Sequence, residues 1–192
     1  MIKYLKMLYV PMSVIFIGAV FTGAYFFSSV SSSGNTFSAG TWVIPDPAMV
    51  VINEVMADPS GSDNALMLGG EWIELYNSGG TAIDINGWHL YDSDNNNELP
   101  ISNLNVSGGS TTLSAAGYLV VFRNGDGDFV LNNTTGDSVR LYNGTISGGA
   151  TIIDSFSYDI GSIFTDKTWA RIPNGSAAWL PNQVSSIGGP NI

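Results

Sequence analysis

The sequence predicts an all-β fold, a two-sheet antiparallel β-sandwich, preceded by a hydrophobic N-terminal helix. After residue 50 the chain contains about eight or nine short runs rich in β-branched and aromatic residues, separated by turn signals at intervals of about 8–12 residues. No segment beyond residue 27 keeps a helical period over three turns. Gly, Ser, Thr and Asn are abundant, which is typical of short strands joined by tight turns.

Residues 1–27 have the features of an export segment. Two lysines precede an apolar run over residues 7–27, and small residues follow within it. Ala24 takes the last position of a signal-peptidase site, so we expect cleavage after Ala24. Left uncleaved, the same run is long enough to anchor the chain in a bilayer. In both cases we expect the remaining chain outside the cytoplasm, either secreted or displayed at the cell surface.

The rest of the chain divides into a linker and one domain. Residues 28–49 are rich in Ser, Gly and Pro and lack periodicity, so they are predicted to be an extended linker, and residues 50–191 form the β domain. Within it Asn86-Gly87 is typical of a hairpin turn. The predicted strands in chain order are 50–57, 71–77, 82–85, 88–91, 118–122, 129–131, 137–142, 151–158 and 168–173. Shorter extended pieces lie at 99–104 and 111–113, and Trp179 closes the domain.

Composition excludes several classes of function. The formal net charge is −10, from 16 acidic and 6 basic residues. An acidic body repels phosphate backbones, so we expect no nucleic-acid partner. The chain has no cysteine, which rules out disulfides, thiol catalysis and cysteine-based zinc sites.

Three motifs carry a resemblance to a known family. They read V-I-N-E-V-M-A at 51–57, E-W-I-E-L-Y-N at 71–77 and I-N-G-W-H-L at 85–90, and they resemble the lamin tail domain in its prokaryotic, exported form. The resemblance implies an immunoglobulin-like β-sandwich and a binding or tethering role. Later segments that fit the same pattern are 113–118, 136–142, 153–158, 169–173 and the closing G-G-P-N at 188–191.

A second resemblance concerns the export route. The segment G-N-T-F-S-A-G-T at 34–41 is similar to the N-terminus of exported matrix proteins of the TasA/camelysin type. The acidic residue that usually follows the aromatic-Ser junction is missing, and the body is not TasA-like. This resemblance implies export more than a filament function.

A candidate calcium site lies in the turn between two predicted strands. Asp92, Asp94, Asn96 and Glu98 present oxygen ligands at alternate positions. Calcium takes six to eight oxygens, so carboxylates from other turns would have to complete the shell. The run begins like an EF-hand loop, but Asn97 occupies the position that requires Gly. The alternative is a solvated hairpin tip, and no other cofactor or metal is expected.

The residues give little support to catalysis. His89 is the single histidine and alternates with Leu90, so we expect it to face solvent rather than serve a catalytic triad. Glu54, Glu71 and Glu74 are acid–base candidates without an evident substrate cleft. Glu54 is also a candidate ion-pair partner of Arg171. We therefore expect no enzyme activity.

Tryptophans and glycosylation sequons remain as candidate binding features. Four tryptophans in the domain can serve as a sugar-binding platform or, as we prefer, as packing residues: Trp72, Trp88, Trp169 and Trp179. N-x-[ST] triplets are candidate glycosylation sites in predicted loops at Asn105, Asn132, Asn133, Asn143 and Asn174.

Three functions fit the sequence. The first is a non-catalytic exported binding or adhesion module whose partner is an extracellular protein or glycan. The second is a structural subunit of an extracellular matrix or filament, assembled when residues 28–49 add as a strand to a neighbour's sheet. The third is an accessory domain for a separate exported hydrolase.

Overall fold

The computed structural model describes residues 49–159, 161 and 164–192. Within them the chain forms β-strands and short 3-10 turns, and α-helix is absent from this part of the chain. None of its helical turns is long and apolar enough to cross a membrane. The predicted N-terminal helix, the cleavage after Ala24 and the linker over 28–48 fall outside the described residues.

Eleven strands make up the described part of the chain, and most coincide with the extended runs of the sequence. The strands are β1 (Val50–Met56), β2 (Trp72–Asn77), β3 (Ile83–Asp84), β4 (His89–Tyr91), β5 (Glu98–Pro100), β6 (Thr112–Leu113), β7 (Tyr118–Phe122), β8 (Asp137–Tyr142), β9 (Ile152–Tyr158), β10 (Thr168–Arg171) and β11 (Trp179–Gln183). The 3-10 turns are Ser107–Gly109 and Ile146–Gly148.

The strands form antiparallel sheets, as predicted. A five-stranded sheet has the order β11-β10-β1-β2-β7, a four-stranded sheet has the order β5-β4-β8-β9, and β3 pairs with β6. A β-bulge interrupts β1 between Ile52 and Glu54, so Asn53 is the extra residue. Strand β8 keeps the alternation that its sequence indicates, with Asp137, Val139 and Leu141 buried.

Two local predictions were wrong. Asn86-Gly87 does turn the chain, and Trp88 N donates to Ile85 O at 3.1 Å. However, β3 pairs with β6 and β4 with β5 and β8, so the turn moves the chain between sheets and closes no hairpin.

Residues 129–131 are not a strand, because buried carboxylates rather than a neighbouring strand accept from the N–H groups of residues 130 and 131.

The core lies between the two large sheets, and aromatic rings join them. Phe156 on β9 stacks on Trp179 of β11 with ring centroids 3.8 Å apart. Tyr158, also on β9, stacks on Trp169 of β10 at 4.3 Å. These contacts and one continuous hydrophobic cluster confirm the sandwich.

All four tryptophans of the domain are packed. Trp72 and Trp169 are buried, while Trp88 and Trp179 are partly buried against the core. The packing role that we preferred for them is confirmed, and none forms an exposed aromatic platform.

Arg171 links the two sheets through a largely buried ion pair. Its Nη2 lies 2.9 Å from Asp154 Oδ2 on β9, its Nε donates to Ile52 O at 2.6 Å, and its guanidinium stacks over Trp179 at 4.7 Å. The predicted pair between Glu54 and Arg171 was wrong. Glu54 lies opposite Ala170, so Arg171, one residue further along β10, points to the other face of the sheet.

Replacement of Phe156 by Ala tests the aromatic junction. Because Phe156 is 8% exposed and contacts rings on two strands of the opposite sheet, F156A is expected to lower the free energy of unfolding by about 3–5 kcal/mol. The measurement is urea denaturation followed by tryptophan fluorescence. F164A is the matched control, because Phe164 is 44% exposed and its loss is expected to change stability little. Equal effects of the two substitutions would contradict this account of the core.

Candidate functional site

Four connections meet at one end of the sandwich, which we call the loop end. They are 57–71 (β1 to β2), 92–97 (β4 to β5), 123–136 (β7 to β8) and, between β9 and β10, the described residues 159, 161 and 164–167. Antiparallel pairing brings these strand ends together, and hydrogen bonds join the loops. Asn133 Nδ2 donates to Asp63 Oδ2 at 3.0 Å, and Val130 N donates to Asp92 Oδ2 at 3.2 Å.

The loop end carries most of the chain's 16 acidic residues. Within the described residues, the basic side chains in or beside these loops are Arg123, Arg140 and Lys167. The acidic residues in or beside the loops are Asp58, Asp63, Glu71, Asp92, Asp94, Glu98, Asp126, Asp128, Asp137, Asp159 and Asp166.

An apolar tip projects from the first of these loops. Leu66, Met67 and Leu68 are 72%, 38% and 76% exposed. The tip is held in place, because Gly69 N donates to Leu66 O at 2.8 Å and Met67 N donates to Asn124 Oδ1 at 2.9 Å. Three consecutive large apolar side chains are thus fixed toward solvent.

A shallow pocket of about 290 Å³ lies beside the tip. Asn124 connects the two features, since its Nδ2 also donates to the carbonyl of Leu104, which is 80% exposed. We call Leu66, Met67, Leu68 and Leu104 the apolar patch, and the cavity the Leu104 pocket. The pocket is lined by Leu99, Pro100, Leu104, Arg123, Asn124 and Gly125, among others.

Arg123 supplies the polar floor of the pocket. It is 7% exposed, its Nη1 donates to Glu71 Oε2 at 2.9 Å, and its Nε donates to Asp126 O at 3.1 Å. Burial raises the pKa of Glu71 to about 8, although the guanidinium of Arg123 beside it acts in the opposite direction. Arg123 Nη2 donates no hydrogen bond in the part of the chain that the structure describes.

The predicted calcium ligands adopt turn geometry. Asp92 Oδ1 accepts from Asp94 N at 2.7 Å, and Asp92 Oδ2 accepts from Asn97 Nδ2 at 2.9 Å. Asp94 Oδ1 accepts from Asn96 N, while Glu98 accepts from the hydroxyl of Tyr91. Among residues 49–159, 161 and 164–192, no group of three or more acidic or histidine side chains is arranged to hold a metal ion. Calcium binding stays a prediction.

Glu54 and Glu74 form a buried pair on neighbouring strands. They are register partners, both fully buried, and their donors are neutral: Thr168 and Ser186 for Glu54, Asn53 and Gly188 for Glu74. Burial and the neighbouring Glu54 raise the pKa of Glu74 to about 7, and burial also raises the pKa of Glu54. Ser186 and Gly188 donate to the two carboxylates, so the segment that contains them covers the pair. The pair therefore has a structural role and is not open to a substrate.

His89 does not face solvent as predicted. Its side chain is only 12% exposed, and Nδ1 lies 3.5 Å from Glu98 Oε2. The ring sits beside Tyr91, with centroids 6.2 Å apart, so a neighbouring aromatic side chain covers it. No serine hydroxyl donates to His89 in the described residues.

The five sequon asparagines differ in accessibility. Asn105 is 7% exposed and its Nδ2, the atom that carries a glycan, donates to Pro100 O at 3.0 Å. Asn132 and Asn133 also use Nδ2 to bind carboxylates. Asn143 is exposed and Asn174 partly exposed, and within the described residues neither donates from Nδ2. Asn143 and Asn174 therefore keep Nδ2 without a hydrogen bond in the described residues, and glycosylation stays a prediction.

The apolar patch escaped the sequence reasoning. The available signal was the run A-L-M-L at 65–68 inside a Gly/Ser-rich loop, because loops rarely expose three consecutive large apolar side chains to solvent. Its proximity to Leu104 depends on Asn124, which no local pattern indicates.

The raised pKa values predict how stability depends on pH. The ordinary pKa of Glu is 4.5, whereas Glu74 and Glu71 titrate near 7 and 8 in the folded state. At a pH between the ordinary and the raised pKa values, the folded state binds more protons than the unfolded state. The free energy of unfolding therefore falls as the pH rises from about 5 to about 8, and then levels off. Urea denaturation at a series of pH values measures this slope, which E74Q is expected to reduce. A stability that rises steadily from pH 5 to 8 would contradict the assignment.

Comparison with known proteins supports the architecture described above. The family model described as the lamin tail domain matches residues 45–159, which is more than half of the 192-residue chain. This family comprises non-catalytic, immunoglobulin-like domains. No curated protein and no solved structure matches the chain. The strand pattern, the antiparallel sandwich and the family match agree, and the chain belongs to the lamin tail domain family.

Proposed function

We propose that this protein is a non-catalytic, exported binding or adhesion module. It acts outside the cytoplasm, either secreted after cleavage behind Ala24 or anchored at the cell surface by residues 7–27. The observation that carries the proposal is the apolar patch: Leu66, Leu68 and Leu104 are each more than 70% exposed on loops that hydrogen bonds hold in place.

An extracellular protein fits the patch better than a glycan. Exposed apolar clusters mark protein-interaction surfaces, and burying them releases roughly 25 cal/mol per Å². Sugar sites instead use open aromatic rings, and the tryptophans of this domain are packed in or against its core. The acidic loops around the patch disfavour nucleic acid.

Three substitutions on the patch test this function. L66S, L68S and L104S together remove the exposed apolar area without touching the core, so binding of the labelled protein to intact cells of its source is expected to fall at least about tenfold, the effect of about 1.4 kcal/mol. Flow cytometry measures the binding. The control is I152S with I153S, which removes exposed apolar side chains from β9. Unchanged binding by the patch variant would refute the proposal.

A structural role in an extracellular matrix is the second candidate, and the sheet edges favour it. Pro181 interrupts β11, Pro100 ends the three-residue β5, and the Val106–Val121 bridge covers β7. By contrast β9 has seven residues, no proline and no strand on its outer side within the described residues. In this proposal β9 accepts residues 28–49 of a neighbouring molecule as an added strand.

Electron microscopy of the mature protein tests the second candidate. If fibres form, deletion of 28–48 is expected to abolish them, and S155K with S157K on exposed positions of β9 is expected to do the same, because charged edges oppose strand addition. S147K, on an exposed 3-10 turn, is the control and should leave fibres intact. Fibres that persist without 28–48 would exclude strand donation by this segment.

A further inference from the structure

We infer that the Leu104 pocket binds an extended peptide segment that carries a large apolar side chain flanked by basic residues. This inference rests on the proposed binding function and names the chemistry of the partner. It follows from three properties of the pocket: its apolar wall, its buried guanidinium floor and its acidic surroundings.

The apolar wall selects the side chain. Leu99, Pro100 and Leu104 form the apolar part of a lining that also contains the polar residues Ser102, Asn105, Asn124 and Asp126. The tip residue Leu66 lies against Gly125 at the rim. A volume of about 290 Å³ lies at the lower end of the range for ligand pockets, about 300 Å³, and leaves room for a large aliphatic side chain. The exposed tip extends the apolar surface beyond the pocket, so an adjacent apolar residue of the peptide also finds a contact.

The guanidinium of Arg123 selects a carbonyl oxygen. Arginine has five N–H donors, of which Nη1 serves Glu71 and Nε serves the carbonyl of Asp126. Nη2 has no hydrogen bond within the described residues, although the side chain as a whole is more than nine-tenths buried. A neutral backbone carbonyl fits this donor better than a carboxylate, because Asp126 lines the same pocket and its carboxylate would repel a second one.

The acidic surroundings select the flanking residues. Asp63 lies in the loop that carries the tip, while Asp126 and Asp128 follow Arg123 in the next loop. Lysine or arginine residues on either side of the apolar anchor would meet these carboxylates, which raises the association rate and discriminates against acidic peptides.

Three capped peptides test the inference against the full chain. The first has two leucines between two pairs of lysines, the second replaces the leucines by serine, and the third replaces the lysines by glutamate. Isothermal titration is expected to show the leucine–lysine peptide binding at least about tenfold more tightly than either of the others. If the serine peptide binds as tightly as the leucine–lysine peptide, charge alone accounts for the binding and the inference is overturned. Failure of all three peptides to bind would also overturn it.

Two variants locate the binding. L104S removes an exposed side chain that does not support the core, and it is expected to weaken the leucine–lysine peptide at least tenfold, while I153S on β9 leaves it unchanged. R123K keeps the charge beside Glu71 but loses Nη2, and it is expected to weaken the same peptide if the fold is retained by circular dichroism. Peptide binding that L104S leaves intact would place the site elsewhere. If the patch variant loses cell binding while no peptide binds, the inference fails and the proposed function stands.

Discussion

The buried guanidinium of Arg171 is the interaction on which the sandwich depends. It reaches from β10 to the carbonyl of Ile52 on β1 and to the carboxylate of Asp154 on β9, so one side chain contacts both sheets. Asp154 in turn accepts from the amide of Ile52. With no cysteine in the chain, no disulfide joins the sheets, and this network and the aromatic stack beside it connect them instead. Removing one partner would leave a buried charge uncompensated. This would lower the free energy of unfolding by far more than the ion pair itself contributes to it.

A second polar network lies on the opposite face of the five-stranded sheet and has no cation. The bulge at Asn53 turns its amide toward Glu74 and Asn174, and the segment 186–191 supplies donors to both buried carboxylates. Asn191 completes the arrangement by donating to the carbonyls of Asn53 and Arg171. Burial raises the pKa of both carboxylates, and the hydrogen bonds from neutral donors act in the opposite direction without cancelling it.

Sequence reasoning reached the fold because its signals are local. The alternation in 137–142 became β8, and the aromatic residues at 156, 158 and 169 became core. It failed where the partner of a side chain depends on a strand that is distant in the sequence. The bulge at Asn53 and the pairing of Arg171 with Asp154 depend on register across three strands, which no window of the sequence contains. The apolar patch could not be predicted for the same reason, because Asn124 joins two loops that lie far apart in the chain.

The Leu104 pocket has a floor and a rim of different kinds. Arg123 is locked to Glu71, whose other oxygen accepts from the backbone of Leu131, so the floor cannot change without disturbing the core. Leu66, Leu68 and Leu104 touch solvent far more than protein, so they are free to vary at little cost in stability. In the proposed peptide-binding role, evolution can therefore exchange the rim side chains that contact the partner while the Arg123 donor stays the same, so that a few rim residues alone would set the specificity.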